Sequence, residues 1–156
     1  MAKKWGNADY KQLQALQGRL QRLEKMDLDK FCEDCSKELA ARLLALVIPR
    51  TPVGQYPKDT GKKGGTLRRG WTASKNNAGT TYAQSLPITK SGSKYTIEII
   101  NPVEYASYVE FGHRTKNGGW VNGRYFLTFS EKELEQLAPG VLEKKLNTLL
   151  KEVFDG

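Results

Sequence analysis

The chain of 156 residues is long enough for one domain with a modest core, and no stretch of it is apolar enough to span a bilayer, so we expect a soluble protein without a membrane partner. The N-terminus turns polar before any apolar region begins, which argues against a signal peptide, and two cysteines are too few for a disulfide framework. Of the net charge of +8, residues 58–69 carry +4 and residues 113–124 carry +3, in two glycine-rich stretches called here the first and second basic segments.

Two helices are predicted at the start of the chain. Between Asp9 and Met26, leucines recur at spacings of three and four, as in an amphipathic helix, and we interpret residues 1–26 as a helical extension. Asp27 or Asp29 can cap a second helix, which we expect to end before Pro49 because a proline disfavours helix in the residue before it. This second helix should be the most buried, through an apolar face of Phe31, Cys32, Cys35, Leu39, Leu43 and Leu46.

A small antiparallel meander is predicted in the middle of the chain. Residues 66–73 could open a strand, residues 80–86 form a weaker candidate, and Ser93–Ile100 is the clearest strand because β-branched and aromatic residues alternate there. The turn-forming residues Asn76–Gly79 and Ser91-Gly92 separate these stretches.

Helices are predicted again in the last third of the chain. Asn101 is a candidate cap, followed by Pro102 at the first helical position, and the helix should run to Phe111 and end at Gly112. We expect an aromatic face on this helix, with Tyr105, Tyr108 and Phe111 as residues that pack against another element.

The C-terminal residues complete an α+β arrangement. Arg124–Gln136 and Val141–Phe154 both have helical spacing, and Pro139-Gly140 between them predicts a break or kink. We therefore predict one domain over residues 1–156, in which a small antiparallel sheet is flanked by N-terminal and C-terminal helices and carries long basic loops.

Residues suited to catalysis or metal binding are few. Cys32 and Cys35 have the spacing of a metal-binding pair, but there is no second pair, and both lie inside a predicted helix at core spacing. The sole histidine, His113, has no orienting carboxylate and nucleophile at a helpful spacing. Gly61–Thr66 lacks the spacing of a phosphate-binding P-loop. We expect no catalytic residue, no cofactor and no metal site.

The two basic segments supply the candidate binding residues. Their glycines cannot build a core, so their cations should face a polyanion or an acidic partner, or simply form solvated loops. Trp71 and Trp120 lie near them and could stack on bases, although no recognised nucleic-acid-reading motif is present. We predict partner contacts at Lys58, Lys62, Lys63, Arg68, Arg69, Arg114, Lys116, Trp120 and Arg124.

A resemblance to a known family covers roughly Leu39 to Ser130. Asn101–Thr115, followed by Trp120–Leu127, closely resembles the tailed-phage head-tail joining and tail-completion proteins. Upstream, the chain is similar to that family's threonine-proline-valine, aspartate-threonine-glycine and leucine-arginine-x-x-tryptophan elements, which are separated here by extra glycine and lysine. The resemblance marks as structural-motif residues Tyr105, Tyr108, Glu110, Phe111 and Gly112.

The resemblance implies a structural virion protein and not an enzyme. It implies a small subunit that forms a homo-oligomeric ring, expected to be a hexamer, at the neck or the top of the tail. Its partners would be neighbouring neck or connector proteins and tail-tube or tail-terminator proteins, with non-specific DNA contact allowed in the channel. Such a protein is made in the host bacterial cytoplasm and ends in the virion.

Two other classes of function remain open at this stage. A small nucleic-acid-binding module would use the basic loops to grip phosphates as a monomer. An enzyme acting on cell wall or nucleic acid would need a cleft with convergent polar groups, for which Glu104, Glu110 and His113 are the residues to test.

Overall fold

A computed structural model of the chain describes residues 10–73 and 79–155, in which helices flank two small antiparallel hairpins. The predicted α+β class is therefore confirmed. No helix within those residues is long and apolar enough to cross a bilayer. The elements in chain order are α1 (Tyr10–Glu24), α2 (Leu28–Arg50), α3 (Thr66–Gly70), α4 (Gly79–Ser85), β1 (Ile88–Ser91), β2 (Lys94–Ile97), α5 (Ala106–Phe111), β3 (Gly112–Arg114), β4 (Trp120–Asn122) and α6 (Phe126–Asp155).

Helix α2 starts where the sequence predicts and ends later. Asp27 is its N-cap, and the Asp27 carboxylate accepts a hydrogen bond of 3.0 Å from the amide of Lys30. The prediction that α2 ends before Pro49 is wrong, because the helix continues one residue beyond it. The turn closes despite the missing proline amide, since the Thr51 amide bonds the Val47 carbonyl at 2.9 Å.

The core forms where α2 meets α3, α4, β2 and α6. Leu44 and Val47 of α2 are fully buried there, and the rings of Trp71 and Phe126 meet edge to face with centroids 6.2 Å apart. As predicted, α2 contributes more buried residues than any other described helix. The apolar face predicted for α2 is less buried than expected. Of its six residues only Cys35 is buried, and the other five are half-buried: Phe31, Cys32, Leu39, Leu43 and Leu46.

The predicted strand at residues 66–73 is wrong, because this segment contains α3 and the turn after it. Leu67, Gly70 and Trp71 are all buried, and their spacing is that of one face of a helix rather than one face of a strand. Burial of this face against α2 favours the helix here.

The predicted weak strand at residues 80–86 is also wrong, because these residues fall largely in α4. Ala83 is fully buried, and its small side chain lets α4 lie directly against α2. Most of the predicted Asn76–Gly79 turn lies outside the described residues, while Gly79 itself is the first residue of α4.

The strand predicted at Ser93–Ile100 and the turn at Ser91-Gly92 are confirmed in shorter form as the β1–β2 hairpin. Gly92 adopts a φ of +60° in the turn. β3 and β4 form a second antiparallel hairpin, with Gly112 opposite Asn122. The expected single meander is wrong, since the described strands form two separate two-stranded sheets.

Side chains tie the first hairpin to the start of α2. Lys90 of β1 donates to the carboxylate of Asp29 at 2.6 Å, and the hydroxyl of Tyr95 on β2 donates to the same carboxylate. The hydrogen bond from Lys90, followed by that from Tyr95, holds the pKa of Asp29 below its usual range. These groups are exposed to solvent, so we interpret the contact as orienting the hairpin more than stabilising the fold.

Helix α5 begins later than the predicted start at Pro102, so Asn101 is not its N-cap. The side-chain amide of Asn101 donates to the carbonyl of Leu67 at 2.7 Å, and its side-chain oxygen accepts from the amide of Val103 at 3.2 Å. Asn101 therefore holds this turn against α3. Gly112 ends α5 as predicted, with a φ of +89° that favours glycine.

The two predicted C-terminal helices are one continuous helix, α6, so a break at Pro139-Gly140 is wrong, whereas the predicted alternative of a kink there stays a prediction. The proline leaves the Glu135 carbonyl without its helical partner, but this stretch is exposed and solvent can satisfy it. Arg50 joins the end of α2 to α6 through an ion pair with Glu133 and a hydrogen bond of 3.4 Å to the hydroxyl of Ser130.

Thr51, the residue after α2, connects three parts of the fold. Its side chain is fully buried, and its hydroxyl donates to the Val47 carbonyl at 2.7 Å and accepts from the indole nitrogen of Trp71 at 2.7 Å. Its carbonyl accepts two hydrogen bonds from the Arg68 guanidinium, at 2.7 and 3.1 Å, and Arg68 also donates to the Pro49 carbonyl at 3.1 Å. We call this set of contacts the Thr51 network.

The Thr51 network leads to a stability prediction. Thr51→Val keeps the shape of the side chain but leaves the buried Trp71 indole nitrogen without an acceptor, so the free energy of unfolding should fall by about 1–3 kcal/mol. Urea denaturation followed by tryptophan fluorescence measures this. The matched control is Thr60→Val, whose exposed hydroxyl donates to the nearby Pro57 carbonyl and accepts a long hydrogen bond of 3.4 Å from the Lys62 amide, and whose effect should stay within about 0.5 kcal/mol.

Candidate functional site: a basic pocket and an aromatic surface

The first basic segment begins in a loop whose two ends meet. Lys58–Thr60 forms a short 3-10 turn, and the chain then returns so that Gly64 lies against Gly54. A Cβ atom at Gly64 would collide with the Gly54 carbonyl oxygen, so only glycine permits this approach. The loop is therefore a closed excursion between α2 and α3.

A concave pocket of about 330 Å³ lies beside this closure. Lys63 of the first basic segment and Arg124 of the second line it together, along with the side chains of Tyr56 and Tyr105. No described acidic residue lines the pocket. The rest of its wall is mostly apolar side chains and main chain, from Pro52, Val53, Gly54, Gly64, Gly65, Thr66, Leu67 and Val109. We call this site the basic pocket.

The described residues supply no charge partner for the two cations of the basic pocket. In the part of the chain that the structure describes, neither the Lys63 nor the Arg124 side chain has a hydrogen-bond or ion-pair partner. The Lys62 ammonium lies 5.9 Å from the centroid of the Tyr56 ring, which adds a third positive charge near the same wall. The basic pocket is thus an uncompensated positive site.

Two predicted partner-binding cations also make hydrogen bonds inside the fold. Arg68 belongs to the Thr51 network, and Arg69 donates to the Gly64 carbonyl at 3.3 Å and to the Thr66 hydroxyl at 3.4 Å. The expectation that their charge sits on a mobile loop is wrong, because both residues lie in α3. The other predicted cations outside the pocket, Lys58, Arg114 and Lys116, are exposed.

An exposed aromatic surface lies on the other side of the second basic segment. Phe111, Tyr125 and Phe129 form a chain of edge-to-face rings, with centroids 6.4 and 6.3 Å apart. Trp120 on β4 lies beside Gly112, next to Phe111, since a Cβ atom added to Gly112 would come within 3.0 Å of the Trp120 ring. We call Phe111, Trp120, Tyr125 and Phe129 the aromatic surface; these side chains are 58%, 60%, 41% and 56% exposed.

The rings on and before α5 are less buried than a subunit core would require. Tyr105 and Tyr108, like Phe111, are exposed, and Tyr108 contacts the His113 ring with centroids 5.7 Å apart. Phe111 contacts Tyr125 and Tyr108 contacts β3, so it is the full burial of these predicted packing residues that requires a neighbouring subunit or a different protein. That further contact stays a prediction.

Glu110 has a structural task that its sequence motif does not announce. It is 4% exposed, and its carboxylate accepts hydrogen bonds from the amides of Leu127 at 2.9 Å and Thr128 at 2.8 Å. These are free amides in the first turn of α6, where a negative charge also interacts favourably with the helix dipole. Tyr125, which precedes α6 at a φ of +49°, is not one of the residue types whose short polar side chain caps a helix N-terminus.

The remaining chemically suggestive residues do not assemble into a site. Cys35 is buried, and burial raises the pKa of its thiol, which keeps it protonated and poorly reactive. The Nδ1 atom of His113 is buried and has no hydrogen-bond partner among residues 10–73 and 79–155. Among the described residues, no group of three or more histidine, cysteine, aspartate or glutamate side chains is placed to hold a metal ion.

Comparison with known families matches most of the chain to a family of phage proteins. Residues 14–112 match the family model described as "Bacteriophage HK97-gp10, putative tail-component". The match runs from α1 through the Thr51 network to the end of α5, so it includes Lys63, Tyr56 and Tyr105 of the basic pocket. Neither the curated proteins nor the solved structures gave a match.

The capping role of Glu110 can be tested by mutation. Glu110→Ala leaves the Leu127 and Thr128 amides unpaired in a buried setting, so the free energy of unfolding should fall by about 1–3 kcal/mol in urea denaturation. The control is Glu104→Ala, an exposed glutamate in the turn before α5, which should change stability by no more than about 0.5 kcal/mol. Equal stabilities of the two variants would contradict the cap.

Proposed function

The chain belongs to the HK97-gp10-like family of bacteriophage tail components, and from this membership we propose that it is a ring-forming subunit at the head-tail junction or the top of the tail. As a structural tail component it is a virion protein. In this proposal it is not an enzyme; it completes the tail and joins it to the head, after synthesis in the host cytoplasm. Its neighbours are neck or connector proteins and tail-tube or tail-terminator proteins.

The aromatic surface is the observation that carries the ring proposal. Large aromatic side chains dominate the binding energy of many protein interfaces, and an isolated subunit rarely leaves several of them exposed side by side. Phe111, Tyr125 and Phe129 lie in one contiguous row, so a single partner surface can cover all three. A ring supplies that partner through a second copy of the chain.

A second apolar feature supports self-association. The helix predicted between Asp9 and Met26 is confirmed as α1, yet none of its residues is buried. Leu13, Leu16 and Leu20 are about half exposed along one face. A helix of 15 residues is marginally stable in water by itself, so this stripe gains from burial in an assembly.

The cations supply the electrostatic part of the proposal. In a ring, the loop with Lys58 and Lys62 and the hairpin with Arg114 and Lys116 are repeated by every subunit. Repetition turns a local charge into a positive collar that can face DNA in the channel or an acidic face of the next ring, although salt limits its reach to roughly 10 Å.

A free nucleic-acid-binding module is the second candidate. The observation that favours it is the exposure of Lys58, Lys62, Arg114 and Lys116, cations without an ion-pair partner in the described residues. Such a module would bind DNA as a monomer, with an affinity that falls steeply with salt. Of the residues named for the enzyme alternative, Glu110 caps α6 and does not line the basic pocket.

Light scattering on the purified protein, with and without its tail-tube partner, tests the ring. We expect a hexamer, or a monomer that assembles only with the partner. Phe129→Glu should shift the mass towards monomer because it places a charge in the aromatic surface. Ile100→Glu, a similarly exposed apolar residue elsewhere, should not. A wild-type monomer that ignores the tail tube but binds DNA would favour the nucleic-acid module.

The predicted partner cations can be tested in the same assay. Simultaneous charge reversal of Lys62, Lys63, Arg114 and Lys116 should impair assembly with the partner while leaving urea denaturation nearly unchanged, because these side chains do not contribute to the core. Normal assembly of this variant would contradict a role for these cations in partner contact.

A further inference from the structure

We propose that the basic pocket is a docking site for an acidic polypeptide segment, with a carboxylate of the segment held between Lys63 and Arg124. The inference deepens the proposed function, because it assigns a chemistry to one contact of the subunit with a neighbouring virion protein. The affinity of the pocket for carboxylates does not itself depend on ring formation, so the two can fail separately.

The fold brings the two cations together from distant parts of the sequence and fixes their backbones. Gly64, next to Lys63, lies tightly against Gly54 at the loop closure. On the other side, the amide of Arg124 donates to the Val109 carbonyl at 2.8 Å, which ties that residue to α5. The pocket is therefore preformed, and a ligand need not pay for ordering the main chain on either side.

The charge of the pocket selects an anionic ligand. Lys63 and Arg124 have no acidic neighbour in the pocket wall, and Lys62 adds charge beside Tyr56. A concave site with partly apolar walls screens charges less than an open surface, so an anion inside it interacts more strongly than one on the surface. Arginine in particular can bind a carboxylate through two parallel hydrogen bonds.

The shape and lining of the pocket favour a polypeptide over nucleic acid. The pocket volume of about 330 Å³ is large enough for a side chain or a short stretch of peptide. A nucleic-acid duplex carries its phosphates on a broad convex surface, which does not fit into a pocket of this size. Val53, Leu67 and Val109 offer apolar contacts to the aliphatic stem of a glutamate or to an apolar neighbour in the segment. The tyrosines at its sides provide broad apolar faces with polar tips.

The binding test uses a fluorescein-labelled hexaglutamate peptide as the probe and fluorescence anisotropy of the full-length protein at low salt. The pocket variant is Lys63→Gln with Arg124→Gln, and the control is Lys94→Gln with Lys132→Gln, which removes the same charge from exposed positions outside both basic segments. We expect the pocket variant to weaken binding at least about tenfold and the control to stay within about twofold of wild type. Hexaglutamine should not bind.

Several outcomes would overturn the proposal. Equal losses in the two double variants would reduce the binding to non-specific charge attraction, and an absence of hexaglutamate binding would remove the site. Tighter binding of a labelled oligothymidine, lost only in the pocket variant, would make the pocket a nucleic-acid site. Light scattering on the same samples keeps the ring separate: a monomeric wild type that binds hexaglutamate through Lys63 and Arg124 would refute the ring and support the pocket.

Discussion

The hydroxyl of Thr51 is the contact on which the arrangement of this subunit depends. It sits fully buried at the end of α2 and accepts the indole hydrogen of Trp71, while the carbonyl of the same residue accepts the Arg68 guanidinium. Without these bonds, a buried indole nitrogen and the last carbonyls of α2 would lack partners, at a cost comparable to a large share of a small domain's stability. One residue thus fixes where α2 ends, where α3 lies and how the core closes.

Both candidate functional surfaces inherit their geometry from this arrangement. The loop of the first basic segment connects the end of α2, at Thr51, to α3. The contacts that position α3 therefore also position Lys63 at the pocket. Glu110 plays the corresponding part on the other side, because it caps α6 while its own backbone holds Tyr125. The hydrogen bonds of Glu110 therefore hold α5 to the start of α6, and the aromatic surface and the basic pocket lie on either side of this connection.

The sequence predicts those elements whose signals are local, such as the cap at Asp27 and the end of α5 at Gly112. It fails for α3 and α4, because what makes them helical is burial against α2. Composition also places Arg68 among the binding cations, since nothing in a local pattern separates a cation that faces solvent from one that caps a helix. Lys63 and Arg124 are each predicted as binding residues. That both line one pocket depends on the tertiary fold and cannot be predicted from their spacing in the sequence.

The close approach of Gly54 and Gly64 has a consequence for how such a subunit can diversify. Because Gly54 and Gly64 lie against each other, the residues between them form a loop whose ends are fixed. None of the described residues in this loop is part of the buried core. Extending a loop with fixed ends costs little conformational entropy, roughly 0.6 kcal/mol for each doubling of its length. The same frame can therefore carry loops of different length and charge, each matched to a different neighbour, while the interior of the subunit stays unchanged.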